Sequence, residues 1–392
     1  MNLRRIHFVF FVFTCCILSA CQFEKSEKAQ LCQFDSSVAS FERSENLEII
    51  PPDDFGGTIR SSFIFQDTLI YILADKPRFD IKIVDLRNRQ FVGEVPLDPN
   101  FFDSPAGVQV ISKDSIFVSD FNFPTIRLIN SQGEVLNTYN LYEEDLWEMP
   151  KEGFANFGLY GGFGLGFQYI PERNSFLVPL RQMDQWYFVK EKKNFPAIGE
   201  YSLETQDFVR VFGKYEGLYA SEENFLFPFY LSHPILERVD NRIILSFSMD
   251  PNLYIYSLDG EFIEKKCGSI AEFELGEPLR YDMNDYDSDG IMNFNKGNSY
   301  FGDFFYVKGA EQFVRVYWKC EKGKEGECKS KQAFALIFDR DVNLVEVRKT
   351  NEIFEGDAFS YQVPYQNGFL SKLATRESDD QFILNLYYRL DK

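Results

Sequence analysis

The densest set of oxygen ligands in the sequence is Asp285-Tyr-Asp287-Ser-Asp289-Gly290. Alternate carboxylates on a segment turned by glycine can wrap a hard cation, and calcium suits such a flexible oxygen set. In the same register Ile291 offers a backbone carbonyl and Asn293 a side-chain oxygen, but Lys296 stands where a bidentate glutamate would close the shell. A set lacking that ligand belongs with weak sites, on the order of 10⁻⁴–10⁻³ M. An acidic solvated turn would have the same composition. The candidate metal ligands are therefore Asp285, Asp287, Asp289 and Asn293, with Ca2+ as the candidate cofactor.

Nucleophilic or multi-histidine chemistry has little to draw on. The chain has two histidines, and His7 lies in a segment expected to be removed, so any Ser-His-Asp, Cys-His or histidine–metal mechanism would pass through His233 alone. A capping or core role for that histidine is the simpler reading. Gly161-Gly-Phe-Gly-Leu-Gly166 has the look of a phosphate loop, yet no helix signal follows it and Phe167–Ile170 alternate as a strand. The glycines are expected instead to let an inner strand approach a crowded axis.

At the N-terminus Arg4 and Arg5 precede an apolar run from Phe8 to Leu18, and Leu18-Ser19-Ala20-Cys21 follows. Basic, apolar and small-residue regions in that order make a secretory signal, and the apolar run is too short to span a bilayer. The last four residues resemble the lipobox of bacterial lipoproteins, which implies lipidation at Cys21. The organisation expected is a signal peptide at 1–20, a lipidated cysteine and flexible tether at 21–45 rich in Ser, Glu and Lys, and a single domain at 46–392.

Loss of the first twenty residues removes two arginines and no acid, so the formal charge goes from −19 to −21. Such a field repels phosphate backbones, which argues against nucleic acid, and leaves the lipid anchor as the expected membrane contact. Four cysteines remain beyond Cys21. Cys320 and Cys328 bracket a polar, glycine-containing stretch and are expected to form a disulfide in an oxidising compartment, while the pairing of Cys32 with Cys267 stays open.

The elements that must hold these residues are strands. Ser115–Asp120, Thr125–Asn130 and Val135–Tyr139 alternate apolar with polar residues and are joined by turn residues, and the same grammar returns around Asp67–Val84 and Arg242–Ile263. Further second strands stand at Ser175–Val178, Phe313–Tyr317 and Gly368–Ser371, which makes six units. Helical periodicity is nearly absent. Radially arranged antiparallel sheets remove the exposed edges such a chain would otherwise have, so the fold expected is all-β: a six-bladed β-propeller of four-stranded antiparallel blades. Asn46–Ile50 is the candidate N-terminal strand that closes the ring by completing the last blade. A seven-bladed ring or two packed β-sandwiches are the alternatives. From lipobox to C-terminus the pattern resembles the six-bladed propeller lipoproteins of Gram-negative bacteria, many known only as domains of unknown function. The resemblance implies fold and envelope location rather than activity.

In a propeller, blade-to-blade connections and those between second and third strands open on one face. Here that class holds the long insertions, 142–160, 181–196, 216–234, 267–302 and 320–328, whereas the other turns are short. The insertions are rich in aromatic rings, most of which are expected to pack on one another. Trp147, Trp186, Tyr187 and Tyr219 are the candidate ligand-binding rings, with His233 near the channel mouth. The function expected is a binding or interaction lipoprotein of the cell envelope that presents this face to a glycan, peptide or protein. The alternative is a divalent-metal hydrolase or lactonase with its site in the central channel.

Overall fold

Strand formation follows the alternation. In Leu69–Ala74, Ser115–Asp120 and Arg242–Phe247, β-branched, aromatic and small residues fill pleated surfaces covered on both sides. The computed structural model describes residues 38–41, 59–66, 68–74, 79–120, 125–141, 156–157, 166–180, 182–183, 196–220, 225–226, 231, 234–276, 279–280, 297–323, 328–355, 360–373 and 383–390.

Six antiparallel sheets form six blades, each running from its innermost strand outward. The first is Ile59–Phe65, Leu69–Ala74, Asp80–Asp85 and Gln90–Pro96, and the second is Pro105–Ser112, Ser115–Asp120, Thr125–Ile129 and Val135–Asn140. Gln168–Ile170, Ser175–Pro179, Ile198–Ser202 and Asp207–Phe212 make the third. The fourth is Pro234–Val239, Arg242–Phe247, Asn252–Ser257 and Phe262–Cys267. Tyr300–Val307, Gln312–Lys322, Cys328–Phe338 and Leu344–Glu355 make the fifth, and the described strands of the sixth are Ser360–Tyr365, Gly368–Leu373 and Ile383–Arg389. The innermost strand of the sixth blade touches that of the first, which closes the ring. All six second strands lie where the sequence pattern placed them.

The candidate closing strand, Asn46–Ile50, lies outside the described residues. The described N-terminal strand is Ala39–Ser40, and it pairs in parallel with Leu344–Glu355, widening the fifth blade. The Phe41 N–H then bonds the Lys349 carbonyl at 3.2 Å. Its ring centroid lies 5.9 Å from Phe369 and 4.8 Å from Tyr388 of the sixth blade, beneath the Arg348 guanidinium at 5.1 Å. Residues 39–41, which the sequence reading gave to the tether, thus fasten the fifth blade to the sixth.

The core lies between blades. Phe117 of the second blade meets Phe176 of the third edge to face, with centroids 4.8 Å apart at 90°. Phe273 stacks on Tyr317 at 4.1 Å beside the fifth blade. Such pairs contribute about 0.5–1.5 kcal/mol each beyond the area they bury.

One local device recurs in every four-stranded blade. The turn from third to outer strand opens with a short polar side chain, Asp85, Asn130, Ser202, Ser257 or Asp339, that accepts backbone N–H groups within the turn. A left-handed residue follows: Arg89, Gly133, Gln206, Gly260 or Val342. Each outer strand then carries a bulge that leaves one residue unpaired, namely Val92, Leu136, Val209, Ile263 or Val345.

Candidate functional site

The central axis is surrounded by innermost strands whose inward edges have no further strand to bond. Their N–H and C=O groups are met by side chains passed from one blade to the next. Ser61 Oγ accepts the N–H of Val108 at 3.4 Å, and Gln109 Oε1 accepts that of Tyr169 at 2.9 Å. Gln168 Nε2 donates to the Leu236 carbonyl at 3.3 Å and to the Glu237 carboxyl at 3.4 Å. Glu237 accepts the N–H of Tyr306, and Asp303 accepts that of Gln362 at 3.0 Å. Every junction from the first blade to the sixth is crossed in this way.

Two of these links are carboxyls on adjacent inner strands, and burial dominates both. It pushes Glu237 up to about 8 and Asp303 to about 7, although the N–H groups they accept pull the other way. Groups that titrate near neutrality can move protons, but structural networks perturb pKa values as well, and both carboxyls here are committed to backbone. Among the described residues no three His, Cys, Asp or Glu side chains gather as metal ligands. Sequence reasoning missed these residues because their signal is only a polar side chain inside an otherwise apolar inner strand.

Beneath the loop-rich face the fourth and fifth blades share a buried polar floor. Asp250 follows the second strand of the fourth blade. It accepts the N–H and side-chain amide of Asn252, both at 2.8 Å, and the Tyr254 hydroxyl at 2.7 Å. Arg315 reaches in from the fifth blade with no exposed surface. It donates to the carbonyls of Phe247 (2.9 Å), Asp250 (2.6 Å), Pro251 (3.2 Å) and Gly268 (2.9 Å), and lies 3.6 Å over the Phe301 ring. Burial lowers its pKa to about 9, opposed by the nearby Asp250. Arg315 lies in the second strand of its blade, which is covered on both sides, so its charge is met by carbonyls rather than by water.

Tyr219, expected as an exposed stacking ring, belongs to this floor. It is 3% exposed, and its hydroxyl donates to the Leu231 carbonyl while accepting the Met249 N–H. Its role here is to tie the third-to-fourth connection to the end of a fourth-blade strand. Trp147, Trp186, Tyr187, His233, Asp285, Asp287, Asp289, Asn293 and Cys21 lie outside the described residues. Among the described residues, no atom lies within 4 Å of where a Cβ of Gly166 would sit.

The long insertions meet on one face. Asn156–Phe157, in the connection from second to third blade, pairs antiparallel with Gln182–Met183, between the second and third strands of the third blade. Phe225–Leu226, in the third-to-fourth connection, pairs with Leu279–Arg280, in the fourth-to-fifth connection. Four insertions far apart in sequence are thereby joined two by two. A fifth, between the second and third strands of the fifth blade, is closed by the disulfide Cys320–Cys328, whose Cα atoms are 5.4 Å apart. Cys267 is also disulfide-bonded, to a cysteine outside the described residues.

Comparison with solved structures bears out the architecture. A crystal structure of a DUF4221 family member from Bacteroides vulgatus ATCC 8482 aligns with TM-score 0.65 at 14% identity, over 89% of this chain and 97% of that one. A Bacteroides fragilis NCTC 9343 protein, whose name marks export as its expected fate, aligns with TM-score 0.53 at 11% identity, over 92% and 98%. No curated protein matches the chain. The model of a domain of unknown function, DUF4221, matches residues 24–346. By that match, which spans most of its length, this chain belongs to the DUF4221 family.

Proposed function

We propose that this protein is a lipid-anchored recognition protein of the cell envelope, whose loop-rich aromatic and acidic face captures a glycan, peptide or partner protein. The observation that carries the reading is the pairing of insertions across the two short ladders, which joins separate loops into larger units on a rigid ring. Aromatic side chains suit such a face because they present large, stiff contact areas at little entropic cost. The lipobox at Cys21 and the expected export of a structural relative support the envelope location. No helix among the described residues is long and apolar enough to cross a membrane.

The test is retention on glycan and peptide arrays and on envelope proteins. Trp147→Ala and Trp186→Ala are expected to weaken capture by more than about 1 kcal/mol with the melting temperature unchanged. Loss of capture only on mutating the short-turn face would overturn the assignment. Calcium at Asp285, Asp287, Asp289 and Asn293 belongs to the same reading, as a weak ion that braces one of the loops.

A further inference from the structure

The bulges of the outer strands share a property that the ring's own stability does not require. In each four-stranded blade the unpaired bulge residue is aliphatic and about half exposed: Val92 50%, Leu136 55%, Val209 54%, Ile263 51% and Val345 45%. Single exposed apolar residues are ordinary, but five at one structural position, on strands far apart in sequence, are not scattered. Each stands just beyond the third-to-outer turn, so together they ring the rim on the side of the short turns.

The path of the N-terminus bears on the same side. Ala39 and Ser40 pair in parallel with Arg348 and Lys349. Followed backward, the chain therefore runs toward the end of the outer strand that holds Val345 and the short turn. Val38, the next residue in that direction, is itself 44% exposed. At Val38 the described chain thus points toward the edge that carries the aliphatic ring.

We infer that the short-turn rim rests on the bilayer that holds the lipid anchor, with the five bulge aliphatics in the interfacial layer and the loop-rich face turned away from the membrane. The inference rests on lipidation at Cys21. A flat apolar interface is the occupant that suits a ring of separate aliphatics, because a plane touches all of them at once where a compact partner would need one contiguous patch. The anchor confines the domain near the surface, so contacts too weak to recruit a soluble protein are enough to orient a tethered one. The acidic charge still argues against electrostatic recruitment, and the contact proposed is apolar and suited to zwitterionic lipid.

The experiment uses the full-length processed protein in phosphatidylcholine vesicles, with a nitroxide placed on Leu136→Cys, Val209→Cys or, on the loop-rich side, Glu272→Cys. At the two rim positions the label is expected to be relaxed several-fold more by oxygen than by a water-soluble nickel complex, and at Glu272 the ratio is expected to reverse. Replacing Val92, Ile263 and Val345 together by Ser is expected to return the Leu136 label to water-like values. Rim labels that match the Glu272 label, in protein that floats with the vesicles, would overturn the orientation while leaving the anchor intact. Failure of the wild type to float would sink the anchor and the orientation together.

Discussion

At the scale of single residues, the polar side chains inside the ring are the least replaceable. Arg315 satisfies four carbonyls from a position with no exposed surface. Arg315→Met should therefore cost about 3 kcal/mol or more in urea unfolding, because removing the donor leaves its acceptors desolvated. Glu237 gives a pH prediction with a definite sign. Its folded pKa, about 8, exceeds the ordinary 4.5, so the folded protein holds this proton more tightly than the unfolded chain does. The stability it lends is full below about pH 4.5 and is lost as pH rises through about 8. Glu237→Gln keeps an acceptor for the Tyr306 N–H but cannot ionise. Melting curves at pH 5.5 and 8.5 should show a smaller drop in the variant than in the wild type, and an identical drop would contradict the assignment. The setting of neither residue was legible in the sequence, since a charged residue in a strand reads equally well as a solvated position.

At the scale of elements, the repeated turn and the disulfide are the parts that can be tested one at a time. Gly133 stands in the left-handed position of the second blade's turn at φ 81°, and an added Cβ would collide with the Pro96 carbonyl oxygen of the first blade. Gly133→Ala should thus destabilise by about 2 kcal/mol, whereas Gln206→Gly, at the equivalent turn in the third blade, should stay within about 1 kcal/mol of the wild type. Removing the Cys320–Cys328 bridge by double Ser substitution should cost about 2.5 kcal/mol on the loop-entropy model. Strands and turns were the legible part of this chain, because alternation and Asn, Asp, Ser and Gly punctuation are local signals. The bridge was legible for the same reason. The N-terminal strand was not: two residues, Ala39 and Ser40, carry no periodicity, and their place depends on an outer edge that only the assembled fifth blade provides.

At the scale of the whole molecule, the number of blades could be read from six second strands, and the side on which insertions rise could be read from topology. The identity of the rings that face a ligand could not, as Tyr219 shows: an aromatic in a long connection is as readily part of the floor as of the surface. The candidate calcium loop makes a prediction at this scale, because bracing one insertion should raise the stability of the ring that holds it. Calcium up to about ten millimolar, above the weakest expected affinities, should raise the melting temperature slightly, and Asp287→Ala should abolish the rise.

The links around the axis are not all alike: a hydroxyl from Ser61, an amide oxygen from Gln109 and carboxyls from Glu237 and Asp303 each accept a backbone N–H, whereas the amide nitrogen of Gln168 donates to a carbonyl. A propeller whose blades were held by one repeated contact could close with a blade skipped, or trade a blade with a second chain, at little cost. Here the link from third to fourth blade runs opposite to the others, so a third blade seated directly against the fifth would have to turn the Gln168 amide over to meet the Tyr306 N–H. The single reversed link gives the otherwise similar junctions one point at which the right neighbour differs from a wrong one.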